Sequence, residues 1–235
     1  MFFIISLLIA GGVFLGILTN LIVGIFVYGS KSMDNGSITK SLRMGHVKNK
    51  FTPYVIMVSV ALTVAIIERF GFTWISSAYL AASLGLLAVS IVDLIDGRIP
   101  NRIIYPTFFI TFLLMLIQSV YMGSYSYLER ASLVGLVAGL FLLVIHLVSP
   151  GGMGMGDVRL EVVAGLIMGW QIGGVMLAMF GLLGSFAIAS IVGVIKMKNS
   201  GMGRKTIIRF GPYLSLGAIV IMLFGQNINS YLNIN

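Results

Sequence analysis

VVAGLIMGWQIGGVMLAMFGLLGSFAIASIVGVI, residues 162–195, runs without a single Asp, Glu, Lys or Arg. Its 34 residues would make a helix of roughly 50 Å at ~1.5 Å per residue, far longer than a hydrocarbon core of about 30 Å. The run carries its own break, the polar and flexible knot Gly169-Trp170-Gln171-Ile172-Gly173-Gly174. Two apolar helices joined there fit a bilayer, whereas one upright helix does not.

Working outward, further stretches free of charge cover residues 1–30, 51–67, 70–92, 103–128, 131–156 and 210 to the C-terminus. Most are long enough for one crossing each, so the split run brings the expected number of spans to eight. The composition agrees: 58% of residues are hydrophobic and only 9% charged, with a mean hydropathy of +1.06. The fold class is therefore all-α, a polytopic membrane helix bundle, and a soluble globular domain is excluded. The N-terminus has no Lys or Arg before its apolar run and no small-residue cleavage signature, and is expected to be a retained first span.

Loop charge fixes parity, because cytoplasmic loops carry the excess of Lys and Arg. With the N-terminus outside and eight spans, thirteen basic residues fall inside and only Arg69 and Arg130 fall outside. The inner set comprises two basic loops, 29–51 and 196–210, together with Arg98, Arg102 and Arg159. A single span over 162–195 would throw the basic residues of the last loop to the wrong side. The formal charge of +8 follows from this asymmetry and suits anionic lipid headgroups, so no nucleic-acid partner is expected. Neither polar loop is long enough to fold by itself, and residues 1–235 are expected to form a single integral-membrane domain.

The chain has no cysteine and only two histidines, His46 and His146. Disulfides and thiolate chemistry are excluded, and no transition-metal site is expected. His146, just ahead of a Gly-rich loop, is expected to be a hydrogen-bonded bundle histidine and not a catalytic one.

Two carboxyls stand out instead, since an ionisable group at membrane depth is costly and by default functional. Asp93 falls in the last turn of a span running from about Trp74 to Ile95, which Gly97 and Pro100 end. Asp157 opens the sixth span after Ser149-Pro150-Gly151-Gly152-Met153-Gly154-Met155-Gly156. Two crossings separate them, which puts both on the cytoplasmic side. A pair of carboxyls sharing one proton can activate water for amide hydrolysis, one polarising the carbonyl and the other acting as base. Gly154 and Gly156 are expected to let the backbone approach an extended substrate and to adopt positive φ. Asp96 is expected to be a solvated turn residue, with assisting the pair or binding basic residues of a substrate as the subsidiary reading. Arg159 reads mainly as a topology anchor. Glu161, four residues after Asp157 and so on the same helix face, is expected to pair with Arg159 or a loop cation, or else to add negative charge near the site.

Gly154-Met155-Gly156-Asp157-Val158-Arg159-Leu160, with Gly165, Gly169 and Trp170 following, resembles the GxGD signature of the type IV prepilin leader peptidases. Asp93 with Ile99-Pro100-Asn101 resembles their first catalytic motif. Gly12-x3-Gly16-x3-Asn20 is similar to their early Gly-Ser-Phe-Leu-Asn segment, and Arg209-Phe210-Gly211-Pro212-Tyr213-Leu214-Ser215-Leu216-Gly217 to their late Phe-Gly-Pro motif. The resemblance implies an aspartyl endopeptidase of the cytoplasmic membrane, with Asp93 and Asp157 catalytic. It would remove short basic leaders from prepilin-like proteins, after a glycine at the boundary of the substrate's apolar helix, and peptide hydrolysis would need no cofactor.

The chain departs from the larger members of that family in lacking the cysteine module of the first loop and in carrying Ile25 where they have an arginine; Arg159 stands for their usual lysine. Those members also methylate the new N-terminus with S-adenosylmethionine, an activity left open here. A presenilin-like intramembrane protease also uses GxGD, but its late Pro-Ala-Leu motif is absent. A proton-coupled transporter would place carboxyls near the midplane within repeats, and no repeat is found.

Overall fold

The computed structural model describes residues 2–33, 52–149, 153–171, 174–200 and 209–232. Their regular structure is entirely helical: α1 (Phe2–Met33), α2 (Thr52–Phe70), α3 (Trp74–Asp96), α4 (Asn101–Met122), α5 (Ser126–Val148), α6 (Met155–Gly169), α7 (Gly174–Ser200) and α8 (Gly211–Leu232). The break expected at residues 169–174 falls between α6 and α7. Seven of these helices are long and apolar enough to cross a membrane. The exception is α6, whose 15 residues reach only roughly 22 Å, short of a core of about 30 Å. Helix α1 continues to Met33 and α7 to Ser200, into the ends of the segments read as basic loops. The remainder of those segments, residues 34–51 and 201–208, lies outside the described residues, as does His46.

The chain divides into two compact units, Met1–Gln118 and Ser119–Asn235. In the first, α1 packs closely on α2. A Cβ at Gly12 would lie 2.7 Å from Val60 Cα, and one at Gly16 would lie 2.9 Å from Ile56 Cα. One turn further along α1, Asn20 Oδ1 accepts a hydrogen bond from Thr52 Oγ1 at 3.3 Å. The three positions of the early motif thus form one contact stripe, where small residues bring two backbones together in a medium that supplies no hydrophobic drive between helices.

Helix α3 starts at Thr73, whose Oγ1 accepts from Ser76 N–H at 3.3 Å. It ends at Gly97, which takes the left-handed conformation (φ 66°, ψ 28°) and donates its N–H to Asp93 O at 2.8 Å. A residue with Cβ resists that backbone, so the glycine sets the end of the helix and thereby the register of Asp93 in its last turn. Gly85 of α3 leaves room for the side chain of Thr107 on α4.

The second unit is built around α6. Gly135 and Gly139 on α5 face Gly165 and Val162 on α6, and a Cβ at Gly165 would come within 2.8 Å of Gly135 Cα. Helices α7 and α8 are similarly close, with a Cβ at Gly217 falling 2.6 Å from Gly181 O. Gln171 Nε2 donates to Met222 O at 3.1 Å, tying the end of α6 to α8. Phe14, Met57, Phe109, Leu113, Leu136 and Leu183 remain exposed; in a bilayer, acyl chains cover such side chains.

Candidate functional site

Helix α6 explains how Asp157 is held. Its N-terminal N–H groups lack intrahelical partners, and a carboxylate at the third helical position reaches back to the N-cap to satisfy one more. Asp157 occupies that position, with Gly154 at the N-cap. Gly154 N–H donates to Asp157 Oδ2 at 3.0 Å, while Asp157 N–H donates to Gly154 O at 3.1 Å. This is the carboxylate half of a capping box, since glycine offers no side-chain oxygen for the other half. The positive end of the α6 dipole also favours negative charge at Asp157. The side chain is only 7% exposed, so a carboxyl is kept inside the unit.

The helix begins at Met155, two residues before the expected start at Asp157. Gly156 is consequently helical, and Gly154 has φ −79° and ψ 148°, an extended backbone open to any residue. The positive φ expected of these two glycines is not found, and Gly154 answers to a different need. A Cβ there would stand 3.2 Å from Asp157 Oδ2, crowding the carboxylate that its own N–H holds.

Glu161 lies one turn beyond Asp157 and is 1% exposed, with Oε1 buried and without a hydrogen-bond partner. It is therefore turned into the unit. Arg159 is half-buried on the same helix. Within the first unit, Asp93 is 5% exposed in the last turn of α3, and Asp96 closes that helix in a half-buried position. Each unit, taken by itself, holds one deeply buried aspartate at a helix end.

Two further residues support α6, and their contacts were not predicted. Arg130 of α5 donates from Nε to Gly169 O at 3.1 Å and from a terminal guanidinium nitrogen to Trp170 O at 3.0 Å. It also lies 5.1 Å from the centre of the Tyr127 ring, which stacks on Trp170. A cation thereby closes the carbonyl end of α6, the end that its dipole makes negative. At the other end, His146 Nδ1 lies 2.7 Å from Met153 O, in keeping with a hydrogen-bonded bundle histidine. The sequence signals were an arginine in a segment otherwise poor in basic residues and a histidine shortly before the glycine-rich segment.

The type IV leader peptidase family matches residues 78–196, a span that includes both buried aspartates. Curated relatives that carry the name prepilin leader peptidase/N-methyltransferase include three from different bacteria. That of Pseudomonas aeruginosa is 30% identical over 182 residues, covering 75% of this chain and 59% of the relative. That of Stutzerimonas stutzeri is 32% identical over 170 residues, covering 70% and 55%. That of Bacillus subtilis is 30% identical over 189 residues, covering 80% and 71%. The chain thus spans under two thirds of the length of the first two. No solved structure matches it significantly.

Proposed function

Because this chain belongs to the type IV leader peptidase family, we propose that it is a multi-pass aspartyl endopeptidase of the cytoplasmic membrane that cleaves prepilin-like proteins. Asp93 and Asp157 act as one pair. The N-terminus of α6 favours the anion on Asp157, which makes it the base that takes a proton from water. The resulting hydroxide attacks the scissile carbonyl carbon while Asp93 gives its proton to the carbonyl oxygen. Collapse of the tetrahedral adduct returns a hydroxyl proton to Asp93, re-forms the carbonyl and breaks the C–N bond, with the proton on Asp157 passing to the departing amine. Such chemistry uses no covalent enzyme intermediate.

The observation that carries this reading is the capped and buried carboxylate of Asp157 in the Gly154-Met155-Gly156-Asp157 turn. The substrate is a protein whose short basic leader precedes an apolar helix, and the cut falls at the cytoplasmic boundary of that helix. With the N-terminus outside, both aspartates belong to that boundary.

Incubating the purified protein with leader-bearing prepilins and weighing the products tests the proposal. Loss of a basic leader after a glycine supports it. Cuts deep within the substrate's membrane helix would favour a presenilin-like protease, and proton-coupled uptake into liposomes with no cleavage product would favour a transporter. Adding S-adenosylmethionine tests the second activity in the relatives' names: a product heavier by one methyl group marks it as present in this chain.

A further inference from the structure

The bond from His146 and the bond to Asp157 meet on a single peptide group. Met153 O accepts from His146 at 2.7 Å, and the N–H across that same amide, on Gly154, donates to Asp157 Oδ2 at 3.0 Å. A carbonyl oxygen only accepts, so Nδ1 carries the hydrogen. Hydrogen bonding at the oxygen end of an amide polarises it and strengthens donation from the nitrogen end. The amide is therefore fixed in orientation and made a better donor by a side chain from α5.

We propose that His146 is a positioning residue for Asp157, acting through the Met153–Gly154 peptide group. It has no contact with substrate in this role. It holds the turn that precedes α6 so that the Gly154 N–H meets the carboxylate, and it ties that turn to the last turn of α5. The other end of α6 is anchored to α5 by Arg130, so both ends of the short helix are fixed to one neighbour. The inference rests on the reading of Asp157 as catalytic.

The test compares His146→Leu, which removes the donor, with His146→Asn, whose amide nitrogen stands where Nδ1 stood, in prepilin cleavage by the full-length protein. His146→Leu is expected to lower kcat by about tenfold with KM little changed, the scale of one supporting hydrogen bond to an ionised group. His146→Asn is expected to recover kcat to within about twofold of the wild type. Unchanged kcat in His146→Leu, or equal loss in both variants, overturns the proposal. Should His146→Leu fail to fold, 15N NMR of histidine in the wild-type protein at alkaline pH decides the matter. With only two histidines, His46→Gln assigns the signals. Hydrogen on Nδ1 of neutral His146 supports the relay, and hydrogen on Nε2 overturns it. A separate arm guards the premise: Asp157→Asn cleaving like the wild type sinks the functional reading whatever His146 does. An inert Asp157→Asn beside a fully active His146→Leu sinks this inference alone.

Discussion

Asp157 and Glu161 are neighbours on one helix face and both are buried, but they are held differently: Asp157 Oδ2 accepts a backbone N–H, whereas Glu161 Oε1 is buried with no partner. An unpaired buried polar atom costs about 1–3 kcal/mol. Glu161→Met removes that oxygen at similar volume and is predicted to raise the unfolding temperature in detergent; a lower one would mean that Glu161 has a stabilising role. Gly154 is constrained in the other direction. In Gly154→Ala the new methyl group would stand 3.2 Å from Asp157 Oδ2 and push the carboxylate off the N–H that holds it. A charge-assisted hydrogen bond is worth roughly 1.5–3 kcal/mol, so cleavage is predicted to fall by about tenfold or more while helicity by circular dichroism stays unchanged. Wild-type cleavage rates in Gly154→Ala would show that this bond is dispensable.

At the scale of elements, the helices of the second unit owe their closeness to small residues, and α6 owes its place to both of its ends. Arg130 satisfies two carbonyls that the end of α6 leaves open. Arg130→Met is predicted to destabilise the protein by about 2–3 kcal/mol, and Arg130→Lys to recover only part, since an ammonium lacks the planar fork that reaches both oxygens. Equal stability of all three in chemical unfolding would show the clamp to be incidental. Much of this level was legible beforehand. The break after Gly169 followed from the length of one apolar run, and the end of α3 from Gly97 and Pro100. The start of α6 was misplaced by two residues, because Gly154-Met155-Gly156 reads as loop by glycine content, whereas Met155 and Gly156 are helical behind an N-cap at Gly154 that the Asp157 carboxylate holds. Gly12, Gly16 and Asn20 were noticed as a motif, but their shared contact with α2 emerges only when two distant segments pack. The same holds for Arg130 and for the carbonyl that His146 reaches: pairings set by packing leave no local periodicity to read.

For the molecule as a whole, charge asymmetry predicts an N-terminus outside the cell and the basic segments inside. The absence of cysteine allows a test without background: a membrane-impermeant thiol reagent should label Ser124→Cys in intact spheroplasts but label Lys205→Cys only after lysis. The reverse pattern would invert the topology and remove both aspartates from the cytoplasmic side. The central claim is the proposed joint action of the Asp93 and Asp157 carboxyls. The most direct measurement is the product mass after incubating one prepilin with the wild type, Asp93→Asn and Asp157→Asn, each verified as folded and inserted. Cleavage by the wild type alone is the predicted result; near-normal cleavage by either asparagine variant would contradict it.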